Sequence, residues 1–329
     1  MIGEVSTCRG CSHHYFKAIA KFYGGFHGSV VNKFLKEHCV LPDTWKCPKC
    51  QSVLAYRKDK HIYYCNSSVK IPKSRKRRRC GYTVSEYKGT LLEGSHLEPW
   101  KLILFVSHWL SRRWSHDTVI EELKIATNTS VEKRNFCSEV AEYFCDNQEA
   151  IGGEAVVVEI DGFEFNAKYE RGGPLSDIWV FGGIERVSKK YFMLPFVDRT
   201  TLDLDAYTLI PFIRHYVKAG SVIITDKSNT YISLPDLGYE HRTVDPSNPE
   251  IHIQNIKRLW SDFNEWVRRP GNRTCCFRQY FAKWFFLHYY PQDQLLHHFF
   301  LTASRRYQPQ QSWEVAGDQY EPKYSMPQS

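Results

Sequence analysis

The sequence predicts an α/β protein: a mixed five-stranded sheet with flanking helices, preceded by a small cysteine-bound module and a helical segment. Three observations carry this prediction. Two apolar runs, AVVVEID ending at Asp161 and SVIITD ending at Asp226, have the continuous Val/Ile character of central strands covered on both faces. Amphipathic helical patterns follow and separate the strand-like segments. Upstream, Cys47, Cys50, Cys65 and Cys80 are spaced as metal ligands are.

The bulk properties narrow the class. A chain of 329 residues with 42% hydrophobic and 15% aromatic residues can bury full cores and divides into more than one domain. Its net charge of +8 is unevenly spread, because seven of the ten residues from Lys70 to Arg79 are Lys or Arg. A basic surplus concentrated in this way favours a polyanionic partner, most simply nucleic acid; a solvated loop or a nuclear-import signal are the alternatives. MIGEVSTCRG lacks the apolar core of a secretory signal, and no apolar stretch is long enough to span a bilayer, so no membrane partner is expected. Eleven cysteines in that setting argue for metal ligation and reduced thiols.

Taken in order, residues 1–40 read as an N-terminal helical segment. Cys8 and Cys11 form a CxxC there without a downstream partner pair, which leaves metal binding open. Residues 41–90 read as a zinc ribbon with a basic insert. The CPKC knuckle points two thiolates at one centre, SVLAYR and HIYYC alternate like a short hairpin, and Cys65 and Cys80 complete a tetrahedral set, with His61 as a substitute ligand. Residues 95–150 are helical. LEPWKLILFVSHWLSRR is mostly apolar, Ser115 caps SHDTVIEELKI, and VEKRNFCSEVAEYFC follows a polar step, an arrangement like a helix-turn-helix with its third helix available to DNA; a plain helical spacer is the alternative.

Residues 151–301 carry the sheet. AVVVEIDGFEF, DIWVFGGIER and KKYFMLPFVD read as consecutive antiparallel strands, LDLDAYTLIPFIRHYVKAG as a helix with a glycine stop, and SVIITD and YEHRTV as parallel strands. IHIQNIKRLWSDFNEWVRR is an amphipathic helix with Ile256, Trp260 and Phe263 on its buried side. That order is the order of a ribonuclease-H-like fold, in which the first and fourth strands are neighbours and Asp161 converges with Asp226. Two carboxylates so placed repel one another unless a divalent cation lies between them. Residues 302–329, rich in Gln, Pro and Ser, read as a disordered tail.

The residues EIDGFEFNAKYERGG, WVFGGIER, PFVDRTTL, ITDKSNTYISLPDLGYEH and HIQNIKRLW resemble the ISXO-type insertion-sequence transposases and their eukaryotic Merlin-type relatives, over about residues 25–301. A zinc ribbon ahead of the transposase domain is also that family's layout. The resemblance implies a ribonuclease-H-like transposase core that cleaves and transfers DNA strands at transposon ends with two Mg²⁺ (or Mn²⁺) ions, held by Asp161 and Asp226. It implies an acidic ligand in the last helix as well, but Lys257 stands where that glutamate would be. Asn255 is then the candidate third catalytic ligand, and Glu250 an upstream carboxylate. Gly162 and Asn264 replace an acidic residue and a lysine common in the family.

These departures point to a decayed or domesticated copy, so a catalytically inactive DNA-binding protein stands beside the active enzyme. Candidate DNA contacts are Lys168 and Arg171 after the first strand, and Lys73, Arg75, Lys76 and Arg77 in the basic insert. The chain is expected to act as a homo-oligomer on DNA. It is expected in the nucleus if eukaryotic and otherwise in the cytoplasm.

Overall fold

The computed structural model describes residues 28–70, 76–111, 115–167, 175–196, 205–267 and 276–307. They fall into two compact units, residues 1–143 with 290–329 and residues 144–289.

In the first unit a three-stranded antiparallel sheet, β1 (Ala55–Arg57), β2 (Ile62–Tyr64) and β5 (Thr83–Ser85), matches the expected hairpin and adds a strand to it. Its core is Trp45, Leu54 and Tyr63 together with Cys47 and Cys65. So few apolar side chains cannot hold a fold alone, and modules of this size generally need a metal or disulfide. Strands β3 (Ser68–Lys70) and β4 (Arg77–Arg79) form a separate two-stranded ribbon from the basic insert.

The helices of this unit are α1 (Gly28–Glu37), α2 (Pro99–Trp109), α3 (His116–Leu123), α4 (Thr127–Asp146, whose last residues belong to the second unit) and α8 (Leu295–Arg306). Helix α2 buries Leu102 through Val106 without interruption, as its apolar composition requires. Ser115 caps α3 by accepting from the Thr118 N–H, and Lys124 ends it in the left-handed conformation. Helix α4 then starts at Thr127, four residues before the expected VEKRNFC segment, because Ser130 is buried and its N–H joins the ladder through Ala126 O. Helix α8 runs to Arg306, past the boundary at 301 read from sequence. The small residues Thr302, Ala303 and Ser304 continue its buried face, so the expected tail does not begin at 302.

The second unit is a mixed five-stranded sheet in the order β12-β11-β7-β8-β9. Strands β7 (Val157–Ala167), β8 (Leu175–Glu185) and β9 (Tyr191–Phe196) are antiparallel. β11 (Val222–Thr225) returns parallel to β7, and β12 (Glu240–Thr243) parallel to β11. A two-residue parallel pair, β6 (Ile151–Gly152) with β10 (Val217–Lys218), was not anticipated.

Alternation along β7 sorts its side chains between two layers. Val158 and Ile160 join Phe181, Phe192 and Ile223 beneath α5 (Ala206–Tyr216). Val157 and Phe163 face the opposite layer, where α6 (Gln254–Val267) and α7 (Phe277–Tyr289) bury Ile256, Trp260, Phe263, Trp284 and Phe285. Each such large side chain contributes about 1.5–3 kcal/mol of apolar transfer. Glu159 and Asp161 share the face of β7 that looks towards α6. Among the described residues no helix is long and apolar enough to cross a membrane.

Candidate functional site

Strand pairing brings the two sequence-predicted aspartates together. In the parallel β7–β11 ladder Ile224 lies beside Glu159, and two residues further on Asp226 leaves β11 at the level of Asp161. Burial raises the pKa of the Asp161 carboxyl, and the nearby charge of Asp226 raises it further. The Gly162 N–H, the Trp260 indole and the ammonium of Lys257 oppose that shift. Trp260 Nε1 donates to Asp161 Oδ2 at 3.2 Å. The indole is therefore a core residue, 2% exposed, that also supplies a polar handle to the site.

Two glycines make this geometry possible. Gly182 pairs with Asp161 across β8, and a Cβ there would lie 2.6 Å from Phe192 O and 3.0 Å from the Trp260 ring, so only glycine lets the indole settle over the strand. At Gly162 a Cβ would enter the Trp179 ring. The acidic residue common at that position in the resembled family has no room here.

Tyr231, which the sequence reading did not single out, belongs to this neighbourhood. It is 5% exposed on a 3-10 turn (Asn229–Tyr231) capped by Ser228. Its hydroxyl is made much less acidic, first by burial and then by the charges of Asp226 and Asp161. A tyrosine five residues beyond Asp226 was the available signal, but nothing local indicates which way its hydroxyl points.

Asn255, the candidate third ligand, is engaged elsewhere. Its Nδ2 donates to Glu159 Oε1 at 2.7 Å, and its Oδ1 accepts from Lys189 Nζ at 2.7 Å. Glu159 is fully buried and organises the start of α6. Its Oε2 accepts from the backbone N–H groups of Asn255 (2.8 Å) and Ile256 (3.3 Å). Those are orphan donors of the first helical turn, and Ile253 before them has no side-chain acceptor to cap them. A carboxylate on the neighbouring strand does so instead, aligned with the positive end of the helix dipole. Arg186 completes the cluster: its Nε reaches Glu159 Oε1 at 3.0 Å, and its Nη atoms hold Glu250 O and His252 O at 2.7 and 2.6 Å. A glutamate inside the apolar run AVVVEID was the overlooked signal, since a charge within a central strand must be paired. Glu250 is exposed and enters this cluster through its backbone carbonyl. Lys168 and Arg171, like Lys73 and Arg75 of the basic insert, lie outside the described residues.

The four cysteines converge as expected. Their ligand atoms all lie within 4.8 Å of one another, with Sγ separations of 3.5 Å for Cys47–Cys80 and 3.4 Å for Cys50–Cys65. A tetrahedron of 2.3 Å Zn–S bonds has edges of about 3.8 Å, so the quartet is compatible with a structural zinc. Burial pushes the Cys47 thiol up to about 12, against backbone N–H groups of Lys49 and Cys50 that favour its thiolate, and Ser52 lowers the pKa of the Cys50 thiol to about 6. His61 is not part of the quartet; its Nδ1 meets Glu86 Oε2 at 2.9 Å, the same oxygen that accepts from Tyr56 Oη at 2.8 Å. Cys8 and Cys11 lie outside the described residues. Among those described, the cysteine quartet is the one cluster of three or more Cys, His, Asp or Glu ligands, so Asp161 and Asp226 have no third such ligand grouped with them.

No family model and no curated protein matches the chain. Among solved structures, a simian T-cell lymphotropic virus intasome in complex with PP2A regulatory subunit B56 gamma is similar over 56% of this chain and 70% of that one. The identity is 14% and the TM-score 0.26, too low to establish a shared fold.

Glu159→Ala leaves the Arg186 Nε–H and two helix N–H groups without their acceptor. It should cost about 2–4 kcal/mol, with Glu159→Gln milder, read as a lower denaturant midpoint for the second unit. Asp161→Asn removes a buried charge while keeping an acceptor for Trp260, and should raise stability at neutral pH. The wild-type carboxyl is destabilising above its raised folded pKa and neutral in both states below the ordinary carboxylate value. The gain should therefore shrink as pH falls through that window, and a pH-independent difference would refute this account. Co²⁺ added to the reduced chain should give the absorption of a tetrahedral thiolate centre with one ion per chain, and Cys65→Ser should abolish it.

Proposed function

We propose that this chain is a DNA-binding protein derived from an ISXO- or Merlin-type transposase, with a ribonuclease-H-like second unit in which strand transfer is curtailed by Lys257. The observation that carries this reading is the pair Asp161 and Asp226, at one level where β7 and β11 run parallel, with the Lys257 ammonium of α6 near enough to oppose the rise in the Asp161 pKa. A sheet of three antiparallel strands extended by two parallel ones, with helices on both faces, supports the fold assignment. The Cys₄ module with its basic insert supports a nucleic-acid partner.

The two carboxylates suit one shared Mg²⁺ or Mn²⁺, which when bound would supply Lewis-acid activation of a phosphodiester. The remaining residues do not complete such a site. Lys257 places positive charge where a third anionic ligand is needed, and the Asn255 amide is bonded at both ends. Trp260 N–H and Lys257 instead offset the Asp161 charge from within the protein. An active transposase is the second reading. It is favoured by the repulsion between Asp161 and Asp226, which a bound cation would relieve. Under either reading the chain acts as an oligomer on DNA, and the basic run suits a nuclear protein.

Titration with Mn²⁺, followed by nicking of supercoiled plasmid, separates the two. Wild type should bind Mn²⁺ no better than Asp226→Asn and cut nothing, whereas Lys257→Glu should gain metal affinity that depends on Asp226. Metal-dependent cleavage by wild type, lost in Asp226→Asn, would establish the active enzyme. Failure of the whole chain to bind duplex DNA would sink both readings.

A further inference from the structure

The segment between Cys65 and Cys80 contains no acidic residue, and its described residues Ser68–Lys70 and Arg77–Arg79 pair as the β3–β4 ribbon. Its register sets Lys70 directly opposite Arg77, Ser68 opposite Arg79, and Val69 opposite Arg78. Directly paired residues of an antiparallel ladder project to the same side. Lys70, Arg77 and Arg79 therefore share one face, and Arg78 lies on the other. All four side chains, and that of Lys76, are exposed.

This arrangement opposes its own formation. A two-stranded ribbon is marginal in water, and like charges directly across the ladder weaken it further. What holds it lies at its base. The Cys80 N–H donates to Ser67 O, the Cys65 N–H to Tyr82 O, both at 2.8 Å, and Arg77 Nη2 returns to Ser68 O at 2.7 Å. The two residues that bracket the ribbon are thus half of the cysteine quartet, and both enter it through the backbone next to the strands.

We infer that this ribbon is an arm that grips the phosphate backbone of double-stranded DNA, and that metal held by the four cysteines fixes its base, so that DNA affinity depends on the metal. The inference rests on the DNA-binding reading above and adds to it the contacting residues and their control. Charge complementarity selects a polyanion. Arginine forks match phosphate geometry, and a two-stranded ribbon fits the major groove of B-DNA. Phosphate contact also removes the cross-strand repulsion, so the cost carried by the free arm is recovered on binding. Metal loss would release Cys65 and Cys80 and leave nothing but a self-repelling pair of strands.

The test is fluorescence anisotropy of the whole chain with a mixed-sequence duplex across a salt series, in zinc-loaded and chelated states. Each lost phosphate contact should reduce the salt slope by about 0.9, so Arg77→Gln/Arg79→Gln should lower it by about 1.8 with zinc content unchanged. Arg77→Lys/Arg79→Lys should keep the wild-type slope. Chelation should remove at least as much slope from wild type, after which wild type and the Gln variant should bind alike. An unchanged slope in the Gln variant would overturn the arm. A wild-type advantage surviving chelation would overturn the metal control, and tighter binding to single-stranded RNA than to the duplex would overturn the assigned partner. If zinc-loaded wild type fails to bind the duplex, this inference falls together with the DNA-binding reading; if it binds normally while the arm variants have no effect, only the inference falls.

Discussion

The second unit depends on a carboxylate buried in the middle of its sheet. Glu159 needs partners there, because an unpaired polar group buried in a strand interior is costly. Its partners are the exposed N–H groups at the start of α6 and the guanidinium of Arg186. The carboxylate therefore determines where α6 begins and how it meets β7. The positions of Lys257 and Trp260 relative to Asp161 follow from that, since Lys257 comes directly after the anchored Asn255 and Ile256 and Trp260 lies about one turn of helix beyond them. The candidate site is thus assembled from a helix whose placement is set by a residue outside the chemistry.

Lys257 suits its place on the helix anchored in this way. Lysine is a good helix former, its position is exposed, and its ammonium eases the unfavourable charge on Asp161. A carboxylate there would add a third negative charge to the pair and would be tolerable only with a cation bound.

The first unit meets a different constraint. Its sheet of three-residue strands has a core in which two cysteines do the work of hydrophobic residues. The ribbon beyond them has no core at all. Order in that region must come from a point where several chain segments are tied together, and the cysteine quartet is that point.

Much of the architecture was legible in the sequence. Apolar runs, helical periodicity and cap residues located β7, β11, α3 and α6 to within a few residues, and the strand order was correct, because these are local signals that the tertiary fold did not override. The cysteine spacing likewise gave the quartet. The start of α4 and the end of α8 were missed, since small polar residues such as Ser130 and Ser304 read as boundaries until a partner buries them. The sequence by itself determined the elements, the two aspartates at strand ends and the excess of positive charge in one segment. Only the tertiary structure decided that Glu159 caps α6, that Asn255 is engaged by Glu159 and Lys189, that Gly182 admits Trp260 to Asp161, and that Arg77 faces Lys70 across a ribbon. Each of these is a contact through space. Glu159 and Asn255 are 96 residues apart, and no periodicity along the chain encodes which buried charge will meet which unsatisfied N–H.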